Sequence, residues 1–317
     1  MLSCTEFIPL YSEFFKFLEK KGGESAVMDY WIYLSDTNIG DKTNPNSLAA
    51  KCELYGGFEG ARAYWGHTLS EEACDTYNIY NPKERYNYSL MRYCPSRGML
   101  NSLKHVEPYH NYCGHCKVIY SRVLEKYGVV YERDHSEIDK ARCSEIYYVA
   151  GHKPNFDFTK PTPDCIVFDE KREGVKYLHR DFHLIGDHAL RYCGEVYGDG
   201  AVTEFLDGYA KAFFSPRIEA MKTGGISAVE AWLTELYEIE EASELLKTTL
   251  SADTLYVTVE KSPVIEYMRG LGKAPSKYYV EETRTVYKSI AKAAGFGFTL
   301  DEYDEETGRA KYRFYKI

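Results

Sequence analysis

Two thiols and two imidazoles fall within seven consecutive positions, His110-Asn111-Tyr112-Cys113-Gly114-His115-Cys116, at the start of an amphipathic run that ends at Gly128. The spacing predicts a helix over 112–127, whose first turn leaves backbone N–H groups free and presents the positive end of the helix dipole. Both favour a thiolate over a thiol. Cys113, Cys116, Tyr120, Val123, Leu124 and Tyr127 recur at three- and four-residue intervals, so the thiols share the face that must meet the core. That arrangement suits nucleophilic catalysis, with Cys113 or Cys116 attacking and His110 or His115 moving the proton. Buried cysteines also serve as small apolar fillers, and loop histidines as solvated surface groups.

Further along, Asp134 follows a strand and opens a turn, where a carboxylate either orients an imidazole or caps its own backbone. Cys143, Glu145 and Tyr147 alternate on one strand face, and an inward Glu145 requires a partner. With Tyr112, Cys116 and one histidine from the stretch His179 to His188, His183 being the chosen one, these residues make a candidate substrate-binding set around Cys113, His110, His115 and Asp134. A metal centre competes for the same side chains. Cys113-x-x-Cys116 is half of a zinc pattern, which Cys143, Cys94 or Asp134 would have to complete in space. If the chain is helical from His179 onwards, His179, His183 and Asp187 also share a stripe that could hold a divalent ion. No resident cofactor is the first expectation, and zinc the alternative.

The rest of the chain bounds these readings. A net charge of -9 without a Lys/Arg block argues against a nucleic-acid surface. The start of the chain lacks the basic and apolar pattern of a secretory signal, and no stretch reaches the roughly 20 apolar residues of a spanning helix. Nine cysteines, an odd number, fit free thiols better than a disulfide framework. The expectation is a cytoplasmic protein that acts on a small molecule, away from membranes and nucleic acids. The 30 tyrosines would line its interior and any pocket.

The sequence reads as one unit written twice. Tyr88 to Pro95 matches Tyr256 to Pro263 at an offset of 168, and at nearly the same offset Tyr112 meets Tyr279, Tyr120 meets Tyr287, Gly128 meets Gly295 and Asp134 meets Asp301. Gly56-Gly57 with Trp65 parallels Gly224-Gly225 with Trp232. Each half reads as helices followed by strand, helix, strand, strand. The predicted architecture is therefore α+β: a first repeat over 1–150, a proline-containing linker over 151–180, and a second repeat over 181–317, the two lobes related by a pseudo-twofold axis. Where the first half has Cys113, Gly114, His115 and Cys116, the second has Val280, Glu281, Glu282 and Thr283, which predicts one active and one degenerate lobe.

The run Ala189-Leu190-Arg191-Tyr192-Cys193-Gly194-Glu195-Val196-Tyr197-Gly198, and the later order of strand, Ser/Cys-Pro, helix, Gly, strand, Asp, turn, strand, resemble the L-2-amino-thiazoline-4-carboxylic acid hydrolase-like family of bacterial proteins. The resemblance implies hydrolysis of a C–N bond in a small cyclic amidine- or amide-like substrate. Cys113 would be the nucleophile, helix N–H groups would hold the charged adduct, and His110 or His115 would shuttle the proton. A sensory or binding module without catalysis and a zinc-dependent hydrolase are the alternative readings.

Overall fold

The computed structural model describes residues 1–155 and 157–317, and these form two compact units, each with one antiparallel sheet. One comprises Leu18–Leu103 and Pro108–His179; the other comprises Met1–Phe17, Lys104–Glu107 and Arg180–Ile317. The predicted boundaries shift accordingly. The first helix, α1 (Cys4–Leu34), is broken at Gly22 and at Gly23, whose φ of 70° only glycine adopts freely. Its opening part belongs with the later half of the chain, because Phe7 stacks on Phe182 at 4.7 Å and Phe14 packs on Phe205 at 4.9 Å.

The five-stranded unit continues through α2 (Leu48–Tyr55), α3 (Gly57–Glu71), β1 (Asp75–Asn81), β2 (Tyr86–Tyr93), α4 (Pro95–Ser102), α5 (Gly114–Glu125), β3 (Val129–Asp134), β4 (Cys143–Val149) and β5 (Ile166–Glu170). Its strand order is β3-β4-β2-β1-β5. The predicted linker is thus partly sheet: β5 pairs along β1, from Thr76 opposite Glu170 to Tyr80 opposite Ile166. Trp65 of α3 lies against the sheet, 5.3 Å from the Tyr131 ring and 5.0 Å from that of Tyr147, with Tyr120 of α5 edge-on at 5.4 Å. These aromatic contacts set the height at which α3 and α5 ride over β3 and β4.

The four-stranded unit runs through α6 (Asp181–Tyr197), α7 (Asp199–Phe213), α8 (Ser215–Gly224), α9 (Ile226–Ile239), β6 (Leu246–Leu250), β7 (Thr254–Val259), α10 (Pro263–Gly270), α11 (Glu281–Ala294), β8 (Phe296–Tyr303) and β9 (Ala310–Lys316). Its strand order is β6-β7-β9-β8. Here Trp232 meets Tyr287 edge-on at 5.0 Å, and Tyr287 meets Phe298 at 6.0 Å. Two helices predicted to be longer stop early. The apolar spacing in the sequence predicts helices over 60–76 and 227–248; the first ends at Glu71 and the second at Ile239. Soon after each end a residue takes a left-handed backbone, Ala73 at φ 51° and Glu241 at φ 55°, which turns the chain into β1 and β6.

Candidate functional site

Helix α5 begins at Gly114, two residues later than the spacing predicts, with Cys113 as its cap residue. His115 and Cys116 therefore occupy the first helical turn. His115 Nδ1 contacts the Tyr112 carbonyl oxygen, which can only accept, so Nδ1 carries the proton and Nε2 has the lone pair. Cys116 Sγ lies 3.4 Å from that Nε2 and donates its proton to it. A thiol, an imidazole and a carbonyl that orients the imidazole thus sit within five residues of sequence, from Tyr112 to Cys116, the group types that nucleophilic catalysis requires. Burial lowers the His115 pKa to about 4, despite the Tyr112 contact, so the imidazole is neutral at physiological pH.

The thiols differ. Burial pushes Cys113 up to about 12, and Cys116 beside it adds to the rise. Burial also raises Cys116, with the Arg133 charge pulling against it, as Arg97 and Arg133 do at Cys113. Cys113 has no imidazole bonded to its sulfur among the described contacts, whereas Cys116 does. The imidazole contact therefore falls to Cys116 and not to Cys113, the thiol that the resemblance implied as nucleophile.

Arg133 extends the site onto the sheet. Its Nη2 donates to Cys143 Sγ at 3.0 Å and its Nη1 to Tyr131 Oη at 3.0 Å, while Nη1 lies 3.3 Å from Glu145 Oε2. Tyr131 Oη donates to the same Glu145 oxygen at 2.6 Å. Both charged side chains are buried, Arg133 at 7% and Glu145 at 4% side-chain exposure, so the pairing that an inward Glu145 demanded is present. Arg133 was not foreseen. Its signal is alternation on β3, where Val129 and Tyr131 face the core and Arg133 continues the same side.

Other predicted residues lie elsewhere. His110 is exposed, with Nδ1 3.8 Å from Glu19 and Nε2 3.7 Å from Glu24, and is not joined to the thiol pair. Asp134 is also exposed, and both its oxygens are taken by Ser136, from N at 2.9 Å and Oγ at 3.0 Å; it caps a turn and orients no imidazole. His183 is buried in the four-stranded unit, with Nε2 3.0 Å from Glu240 Oε2, where it settles a core carboxylate. The His179, His183 and Asp187 stripe does not form, because α6 starts only at Asp181 and Asp187 accepts from Ser276 N at 2.9 Å and Oγ at 2.7 Å.

The donor set for zinc also fits poorly. Among the described residues the sulfurs of Cys113, Cys116 and Cys143 do not come together within 4.8 Å. Cys143 moreover faces a guanidinium, which repels a dication. The exposed trio Glu19, Glu24 and His110 does bring its ligand atoms within that distance, but solvated acidic groups commonly do so.

No described helix is long and apolar enough to cross a membrane. Compared with models of protein families, with curated proteins and with solved structures, the chain matches none.

Proposed function

We propose that the five-stranded unit is a thiol-dependent hydrolase of a C–N bond in a small cyclic amidine- or amide-like molecule, with Cys116 as nucleophile and His115 as base and acid. The observation that carries this reading is the 3.4 Å contact between Cys116 Sγ and an imidazole nitrogen whose lone pair is fixed by the Tyr112 carbonyl. As Cys116 Sγ bonds to the electrophilic carbon, its proton passes to His115 Nε2. The imidazolium then gives that proton to the departing nitrogen as the C–N bond breaks. Water, relieved of a proton by His115, attacks the thioester or thioimidate; the C–S bond breaks and the sulfur regains its proton. In this reading first-turn N–H groups of α5 steady the negative adduct, and the Arg133 charge, which favours the Cys116 thiolate, adds to that.

We further propose that the two units descend from one duplicated ancestor. The support is their register: α4 and α10 both start at a proline capped by the preceding Cys94 or Ser262, and the orders β3-β4-β2-β1 and β8-β9-β7-β6 coincide when aligned by sequence offset. The Trp65–Tyr120–Tyr131 cluster also has its counterpart in Trp232, Tyr287 and Phe298. The four-stranded unit, with Glu282 and Thr283 in place of His115 and Cys116, would then be the inactive one.

Hydrolysis of 2-amino-thiazoline-4-carboxylate and of a panel of cyclic amidines and amides tests the reaction, together with mass-resolved alkylation by iodoacetamide. Turnover that Cys116→Ala abolishes and Cys113→Ala retains, with Cys116 alkylated faster than Cys113, is the expected outcome. Absence of turnover across the panel, with Cys116 no more reactive than Cys113, sinks the reading.

A further inference from the structure

Strand pairing places Phe168, Asn78, Ser89, Glu145 and Arg133 side by side in one row across β5, β1, β2, β4 and β3. A cleft with a volume of about 120 Å3 opens over the middle of this row, lined by Asn78, Ser89 and Glu145 below, Asn87 and Tyr147 beside them, and Trp65 of α3 at its wall. The second sheet has a row at the same place in its strand order, Thr248, Val257, Tyr312 and Leu300, and that row is apolar apart from one threonine and the Tyr312 hydroxyl. The fold therefore does not demand a carboxamide, a hydroxyl, a carboxylate and a guanidinium there.

Such a row is costly. Ser89 is only 2% exposed, and its Oγ has no hydrogen-bond partner among the described residues. Arg133 Nε is in the same position. A buried hydroxyl without a partner loses its hydration and gains nothing in return, a cost that valine, the counterpart in the other sheet, would avoid. A polar group kept against its stability cost, and lining a cleft, points to a ligand.

We infer that this cleft binds a compact planar C–N group rich in N–H donors, of the amide, urea or amidine type. Glu145 and the carboxamide oxygens of Asn78 and Asn87 offer acceptors, and Ser89 can accept and donate. Arg133 already neutralises Glu145, and the other charged lining residues, Arg62 and Glu170, are opposite in sign and paired with Glu59 and Arg172, so the cleft selects by hydrogen-bond pattern more than by net charge. The aromatic walls, Trp65 and Tyr147, suit a flat group, and the volume lies below the roughly 150 Å3 of a cavity that takes benzene, so one small ring or an open-chain group fits. Recognition here requires no turnover at Cys116, and it stands if Cys116 proves inert.

The test uses the full-length protein and four probes at millimolar concentration: acetamide, urea, acetamidine and, as the anion control, acetate. The Trp65 indole N–H resonance, assigned by its loss in Trp65→Phe, reports occupancy. Saturable shifts with the first three probes and none with acetate are expected. Ser89→Val should fold with an unchanged or higher Tm and bind roughly tenfold more weakly. Glu145→Gln is the less informative variant because it strands Arg133, so Asn78→Ala, on the other side of Ser89, provides the second reading and should weaken binding as well. The inference fails if no N–H probe moves the resonance, if acetate alone does, or if Ser89→Val and Asn78→Ala bind as the wild type does.

Discussion

Asn78, Ser89, Glu145 and Arg133 stand abreast in one sheet, whereas Thr248, Val257, Tyr312 and Leu300 fill the matching row of the other. The helices above differ likewise: α5 opens with Cys113, His115 and Cys116, and α11 with Val280, Glu282 and Thr283 at the corresponding places. Both sheets have the same strand order apart from β5, and both pack a tryptophan edge-on to a helix tyrosine. What differs is chemistry laid over a shared frame. The apolar row shows what suffices for packing, so the polar row's excess of hydrogen-bonding and charged groups marks where function should be sought.

The largest effect should come from removing the thiol that the imidazole holds. Cys116→Ala is expected to reduce turnover by at least about 1000-fold, and Cys113→Ala by less than about tenfold, measured as kcat/KM. If Cys113→Ala is the crippling change, the contrast between the helix starts rests on the wrong sulfur.

Next comes the buried pair. Arg133→Leu or Glu145→Tyr alone leaves one charge uncompensated and should cost about 3–5 kcal/mol in urea unfolding. The double variant, which writes the other sheet's residues into this one, should recover most of that loss while abolishing activity. Failure to recover would mean the two rows are not interchangeable as packing.

The imidazole supplies a pH test. His115 has a folded pKa of about 4 against an ordinary value of 6.5, so as pH falls the unfolded chain takes up its proton first. Stability tied to His115 is therefore complete above about pH 6.5, declines between there and pH 4, and falls no further below that. His135 is lowered to about 4 as well, by burial and then by the Arg133 charge, so only the difference between wild type and His115→Gln isolates the first group. That difference should shrink towards acid; a gap independent of pH would refute the assignment.

The smallest effects belong to residues with counterparts in both units. Cys94 caps α4 by accepting from Arg97 N at 3.4 Å, as Ser262 caps α10 by accepting from Ile265 N at 3.4 Å. Cys94→Ser should change stability by no more than about 1 kcal/mol. Asp134→Asn should leave turnover unchanged and cost under about 1 kcal/mol, as expected of a turn cap.

The sequence alone carried the local structure. The helical apolar spacing over 6–20 with its Gly22-Gly23 stop predicts the break in α1, the aromatic alternation over 86–93 predicts β2 at its observed limits, and the offset of 168 pairs Cys94 with Ser262 at the two helix caps. It also required a partner for Glu145. It did not reveal β5, whose short run Ile166–Glu170 becomes a strand only because β1 offers it an edge. Nor did it reveal that Phe7 and Phe14 pack with the later half of the chain, since an apolar helix face does not specify its partner.

The candidate site divides in the same way. The Tyr112 to Cys116 segment was legible because its members are neighbours in sequence and one helical turn holds them. Choosing Cys116 over Cys113, discarding His110, Asp134 and His183, and adding Arg133 and Ser89 depended on tertiary structure. Burial, the direction of a ring nitrogen and the neighbours across a strand are fixed by residues far apart in the chain, and a one-dimensional pattern carries no record of which of them will meet.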